Sequence, residues 1–190
     1  PQLLLTHAAQ RPSAPAMREK EYGIWQTISW QDMATMVAHM ACGLHQAGLK
    51  RGEHMVVVGS NRPRLYATML AAQSLGAIPI PLYQDAAAAE CVFPMTNAEV
   101  RLCVVEDQEQ VDKMLEVREA YASLERIYFD DPRGLRKYDE PGLGSVDELL
   151  AAGEVFAKQH PNFYKEQVEM GSKDDVAAMF FTSGTTGNPK

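Results

Sequence analysis

Short unbroken apolar runs alternate along this chain with apolar stripes at helical spacing, and that alternation predicts its elements. Met55 to Val58 is continuously apolar, and Arg101 to Val105 and Arg126 to Phe129 are nearly so. Runs of this length suit strands of a sheet covered on both faces. Ala77 to Leu82 is extended but carries Pro79 and Pro81, which donate no ladder hydrogen bonds, so it belongs at an edge or a strand end. Val176 to Phe181 reads as a last buried strand, its start marked by Ser172, Lys173, Asp174 and Asp175. Helical stripes fill the intervals. Trp30, Met33, Ala34, Val37, Ala41 and Leu44 form one, with Ser29 placed to cap it and Gly48 to stop it. This methionine-rich stripe reads as core before ligand groove. Asn61 or Arg62 caps the next helix, with Pro63 in its first turn and Gly76 at its end. Further helices are expected from a cap at Asp85 to a kink or stop at Pro94, and from Gln108 to Ala122. Two more follow, from a cap at Ser145 to Gly153 and from Glu154 to Met170 with a break near Pro161.

Before Ser29 the pattern differs. Leu3 to Gln10 reads as a short helix, and Ala14 to Lys20 and Tyr22 to Ile28 as a hairpin turning around Glu19-Lys20-Glu21. From Trp30 onward strands alternate with helices, which predicts an α/β fold: a mainly parallel sheet with flanking helices. Asp131 to Gly144 is the candidate for a mobile insertion. Within it Pro141-Gly142-Leu143-Gly144 reads as a turn, not a dinucleotide fingerprint, because no strand leads into it and the third glycine is missing.

Composition narrows the function classes. Hydrophobic residues make up 46% of the 190 and charged residues 23%, an ordinary globular balance. A net charge of −7 argues against broad nucleic-acid binding but leaves room for a local phosphate cradle. No apolar run reaches the roughly 20 residues of a membrane span, although peripheral membrane association stays compatible with the sequence. Pro1-Gln2-Leu3-Leu4-Leu5 lacks the basic start of a signal peptide. Cys42, Cys91 and Cys103 have no CxxC spacing and read as buried thiols of a reducing compartment, so a cytoplasmic location is expected. His7, His39, His45, His54 and His160 form no metal motif, and no metal ligand is assigned.

The chemistry concentrates in Thr182-Ser183-Gly184-Thr185-Thr186-Gly187-Asn188-Pro189-Lys190. Glycines let a backbone turn sharply and approach an anion, and successive N–H groups can form a concave anion site. Hydroxyls add donors and the lysine adds a mobile positive charge. The string is not a Walker A loop: Gly184 and Gly187 are separated by two residues rather than four, and Asn188-Pro189 precedes the lysine.

The string resembles the phosphate-binding signature of the adenylate-forming superfamily of AMP-binding enzymes, which includes acyl-CoA synthetases, luciferases and peptide-synthetase adenylation domains. The likeness extends upstream through the capped helix ending at Gly48, the Lys50-Arg51-Gly52-Glu53 turn and Gly76 to Leu82. Tyr83-Gln84-Asp85-Ala86 and Asp131-Pro132-Arg133-Gly134-Leu135-Arg136 are similar to long-chain fatty acyl-CoA synthetases in particular. The resemblance implies the N-terminal part of the large domain of an acyl-CoA synthetase-like fold, with residues 1–190 ending at the phosphate loop. It implies fatty acid metabolism: a ligase that uses ATP and Mg²⁺ to make an acyl-adenylate, then passes the acyl group to CoA. Thr182, Ser183, Gly184, Thr185, Thr186, Gly187 and Lys190 would hold the phosphates that leave as pyrophosphate. Residues for adenine, ribose and Mg²⁺, and a second catalytic lysine, would lie downstream, so no catalytic acid or base is assigned here and the isolated chain is expected to be inactive. Two other readings stay open: a non-catalytic nucleotide-binding or interaction module of the same fold, and an adenylating enzyme whose acceptor is a carrier-protein thiol or, as in luciferases, oxygen.

Overall fold

The computed structural model describes residues 1–182. Helix α1 (Gln2–Gln10) leads into a hairpin of β1 (Pro15–Glu21) and β2 (Ile24–Ser29). Its turn is Tyr22-Gly23, not Glu19-Lys20-Glu21: both turn residues have positive φ, 48° and 81°, the two-residue geometry that matches strand twist. Only Gly23 supplies that conformation without strain, so the strands run on through Glu21 and pair it with Ile24.

The remainder is the expected α/β unit. Helix α2 (Trp30–Gln46) starts at Ser29, whose hydroxyl accepts from Asp32 N–H while the Asp32 carboxylate accepts from Ser29 N–H. There follow β3 (His54–Val58), α3 (Pro63–Ser74), β4 (Ile78–Leu82), α4 (Ala88–Asn97), β5 (Leu102–Val105), α5 (Gln108–Ala120), β6 (Arg126–Phe129), β7 (Leu143–Ser145), α6 (Val146–Gln159) and α7 (Phe163–Glu169). Among the described residues the main sheet is all parallel, in the order β4-β3-β5-β6-β7. Side chains alternate between two cores. Met55, Val57, Leu102 and Val104 face α1, α2, α3 and α6, while Val56, Val58, Cys103 and Val105 face α4 and α5.

Several elements depart from the sequence expectations. Helix α4 is capped at Ala87 rather than at Asp85, because the Glu90 carboxylate accepts the Ala87 N–H at 3.0 Å and closes the first turn. It runs through Pro94, which is buried against the second core, as far as Asn97. Helix α6 runs through Gly153, where a stop is expected, while the break expected near Pro161 is present between α6 and α7. Leu143–Ser145, where a turn through Gly144 and a cap at Ser145 are expected, is an edge strand among the described residues: Ile127 N–H donates to Gly142 O at 3.0 Å, the next three residues pair with β6, and Ser145 caps α6 as expected. Three residues including a glycine carry too little apolar pattern to signal a strand. The segment 131–144 is pinned rather than free. Leu135 is buried, Asp131 N–H donates to Glu106 O at 2.7 Å, and Tyr138 Oη donates to Asp112 and accepts from Gln108 Nε2.

Candidate functional site

Of the phosphate-loop residues, Thr182 is described and exposed. Ser183, Gly184, Thr185, Thr186, Gly187 and Lys190 lie outside the described residues. The run before them is not the buried strand its composition predicts. Val176 and Phe180 are 55% and 67% exposed, and among the described residues one backbone bond links the run to the sheet, Met179 N–H to Pro79 O at 3.1 Å. Strand β4 explains why. Ile78 N–H donates to Glu53 O, so Ile78, Ile80 and Leu82 address β3, while Pro79 and Pro81 address the outer edge. Those prolines offer carbonyls but no N–H, so half of a ladder cannot form there.

The run is still guided. Asp175 lies 3.5 Å from Arg51 and Gln73 Nε2 donates to Ala177 O at 2.7 Å, both near the amino end of β4. Farther on, Phe181 packs edge-on to Phe93 of α4, with ring centroids 6.5 Å apart. The chain therefore follows β4 in its own direction and carries Thr182 toward the carboxyl end of the sheet.

That end holds a cleft of about 620 Å³. Strands β3 and β5 are neighbours whose following helices leave toward opposite faces, the switch point where open α/β sheets form a ligand crevice. Gly59 is needed there, since a Cβ would come within 2.5 Å of Leu65 and 2.6 Å of Glu106. Glu106 accepts from Ser60 N–H and from Arg62 Nε at 3.0 Å, and Arg62 Nη1 lies 3.6 Å from Glu19 of the hairpin. Burial pushes the Glu106 carboxyl up, but the Ser60 and Arg62 donors together outweigh it and hold it below its ordinary value. Arg64 bridges Asp130, at 2.9 Å, and Asp147. Its Nε–H is not aimed at the Asp130 oxygen, so that contact is an ion pair without a hydrogen bond. Burial pushes the Asp130 carboxyl above its ordinary value. Arg64 pulls the other way, and Asp147, Glu19 and Glu106 add to the rise.

Six carboxylates and four cations line this cleft, and Arg62, Arg64 and Arg133 are all paired with acids. By themselves these residues form a charge network, not a phosphate cradle. Glu106, Arg62, Arg64 and Asp130 were not singled out from sequence as a group; the available signal is their position just beyond the apolar runs that end at Val58, Val105 and Phe129. The two segments similar to fatty acyl-CoA synthetases also reach this edge: Tyr83, 82% exposed, follows β4, and Asp131 follows β6. Among the described residues no cluster of three or more His, Cys, Asp or Glu could hold a metal, and no helix is long and apolar enough to cross a membrane. The three cysteines are buried and unpaired.

A family model described as AMP-binding enzyme matches residues 4–190. Long-chain-fatty-acid–CoA ligase ACSBG2 of Homo sapiens is 27% identical over 177 residues, covering 93% of this chain and 26% of the relative. ACSBG2 of Xenopus laevis is 26% identical over 178 residues, covering 92% and 23%. The chain thus spans about a quarter of the length of these curated relatives. Among solved structures, coronafacic acid ligase from Pectobacterium brasiliense superposes with a TM-score of 0.73 at 18% identity, over 94% of this chain and 32% of that one. The anthranilate CoA ligase AuaEII, in complex with anthranoyl-AMP, gives 0.71 at 16% identity, over 86% and 29%. VinN with L-aspartate gives 0.68 at 23% identity, over 99% and 45%.

Proposed function

Because the chain belongs to the AMP-binding enzyme family of adenylate-forming ligases, we propose that residues 1–190 are the N-terminal portion of the adenylation domain of an ATP-dependent carboxylate–CoA ligase, with a long-chain fatty acid as substrate. The observation that carries this reading is the uninterrupted string Thr182 to Lys190 at the end of a segment that follows β4 toward the carboxyl edge of the sheet. The fatty-acid assignment draws on the curated relatives named as long-chain-fatty-acid–CoA ligases and on the Tyr83 and Asp131 segments.

The chemistry has two halves. A carboxylate oxygen attacks the α-phosphorus of ATP, the α–β anhydride bond breaks, and pyrophosphate leaves with the bonding pair. The CoA thiolate then attacks the acyl carbon and AMP leaves. In the first half Thr182, Ser183, Thr185 and Thr186, with the backbone at Gly184 and Gly187, would bind the β- and γ-phosphates. Lys190 would counter the charge that grows on the departing pyrophosphate, which is electrostatic stabilisation rather than proton transfer. Mg²⁺, when bound with ATP, neutralises phosphate charge. Its ligands are not assigned to this chain.

ATP–pyrophosphate exchange by the full-length protein tests the proposal, with acids from acetate to long-chain fatty acids and with amino acids including L-aspartate. Exchange that depends on a long-chain acid is expected. Exchange with an amino acid alone would keep adenylation and remove the fatty acid. No exchange with any acid, from protein that still binds ATP, would leave a nucleotide-binding module. The isolated 190-residue chain is expected to give none.

A further inference from the structure

The bond from Met179 N–H to Pro79 O has the form of one rung of a parallel ladder, with Ala178 opposite Pro79. In such a ladder a residue that accepts from one side of its opposite number donates to the other side. Residue 79 would therefore return its own N–H to Ala177 O, and a proline has none to give. A side chain fills the place: Gln73 Nε2 donates to Ala177 O at 2.7 Å. Gln73 sits in the last turn of α3, between buried Ala72 and buried Ser74. The connection from there into β4 is tight. Gly76 N–H donates to Gln73 O at 3.0 Å and Ala77 N–H to Ala72 O at 2.9 Å. The donor thus reaches the edge from the same turn that delivers Pro79. The other tie at this end, Arg51 to Asp175, joins two exposed side chains and holds the run weakly.

We propose that Gln73 is a positioning residue for the phosphate loop: its amide stands in for the missing Pro79 N–H and pins residues 176–181 along β4, which fixes where Thr182 begins the loop. One bond at Met179 would leave the run free to swing about that point. Two bonds, at Ala177 O and Met179 N–H, flank Ala178 and set a direction. Met179 and Phe181 then pack on the second core, and the Phe181 ring reaches Phe93. In an ordinary ladder this rung would be backbone to backbone and indifferent to side chains. Here the paired prolines blunt the edge, and one side-chain amide restores a rung of it. A single substitution can therefore remove that rung and leave the rest of the sheet intact.

The test uses the full-length protein with two variants. Gln73→Met keeps length and helix propensity but has no donor. Gln73→Met combined with Pro79→Ala returns a backbone N–H to the edge. Amide exchange, read by mass spectrometry in peptides covering residues 176–181, should be about two- to tenfold faster in Gln73→Met, the range one hydrogen bond allows. It should return toward wild type in the double variant, while peptides covering α2 stay unchanged in both. A mere packing role for Gln73 would give no such recovery, because Pro79→Ala only removes more atoms. The consequence for phosphate binding rests on the ligase reading above. There Gln73→Met should slow ATP–pyrophosphate exchange by a similar factor, chiefly through a raised KM for ATP, with the KM for the carboxylic acid unmoved, and the double variant should recover. If wild type gives no exchange with any acid, the ligase reading fails and the amide result still decides whether Gln73 pins the run. Unchanged amide exchange in Gln73→Met, no recovery in the double variant, or faster amide exchange with unaltered kinetics in an active enzyme would each overturn the proposal.

Discussion

Gly153 of α6 packs against Gly43 of α2 with no space for a side chain on either. A Cβ at Gly153 would lie 2.8 Å from Gly43 N and overlap the His39 carbonyl, and one at Gly43 would overlap the Leu149 carbonyl. The pair lets two helices meet backbone to backbone over the first core. It also explains a glycine in mid-helix, which would otherwise cost about 1 kcal/mol relative to alanine.

Gly153→Ala should therefore act against propensity. In an open helix the change would stabilise by up to about 1 kcal/mol; here overpacking should destabilise by about 2 kcal/mol or more. Urea unfolding would show a lower midpoint with an unchanged slope. A raised midpoint would mean that α2 and α6 are farther apart than described.

Much of the fold was legible because strand and helix periods differ and the punctuation was explicit. Ser29 with Asp32, Pro63 at a first turn and the paired prolines of β4 each said locally what the fold required. Gly153 misled because its role is set by α2, about a hundred residues away, and no local pattern records that contact. Val176 to Phe181 misled for a related reason. Its apolar run states a preference for burial, while the available edge lacks donors at Pro79 and Pro81. The phosphate loop was legible as a string of residue types; the charge network at the carboxyl edge was not, because Glu19, Arg62, Glu106 and Asp130 come from four separate stretches brought together by topology.

If Lys190 counters charge on departing pyrophosphate, Lys190→Ala in the full-length protein should lower the rate of ATP–pyrophosphate exchange about 100-fold. The KM for the carboxylic acid should change little. A large rise in that KM with an unchanged maximal rate would instead assign the lysine to acid binding.

The three cysteines should be inert in the folded protein. Burial pushes the Cys103 thiol far up and that of Cys42 up to about 11, and Cys91 rises as well, chiefly through burial, with Lys113 pulling back. Thiolate is the reactive form, so little is present at pH 8. Iodoacetamide followed by peptide mass spectrometry should show these cysteines unmodified in the native protein and alkylated in urea. Modification of Cys42 under native conditions would show that α2 opens locally.

Asp130 should cost stability when ionised. Its folded pKa is raised by burial, so the native state holds the proton more tightly than the unfolded chain does. That cost appears as pH rises from the unfolded value of about 3.9 through the raised folded value. Asp130→Asn keeps the shape and leaves Arg64 paired with Asp147. At pH 7 it should stay within about 1 kcal/mol of wild type or be more stable. The difference should move against the variant as pH falls toward 4. A loss of several kcal/mol at pH 7 would mean that the ion pair outweighs burial.

Glu106 should show the opposite dependence. Its folded pKa is depressed, with burial pushing it up and the Ser60 and Arg62 donors prevailing. Its contribution is therefore present above the unfolded value of about 4.3 and is lost as pH falls through the folded value. Gln at this position keeps an acceptor for one donor but removes the charge that Arg62 pairs with and the second carboxylate oxygen. Glu106→Gln should destabilise at pH 7 by about 1–3 kcal/mol, the range for hydrogen bonds to a charged group. Urea titrations of both proteins from pH 7 downward should show the gap closing below pH 4. Arg62 also bridges Glu106 to Glu19, so the variant should loosen the hairpin, read as faster amide exchange at Lys20 and Trp25 with little change at Val56. A pH-independent gap would assign the loss to packing at the β3–β5 crevice rather than to the charge.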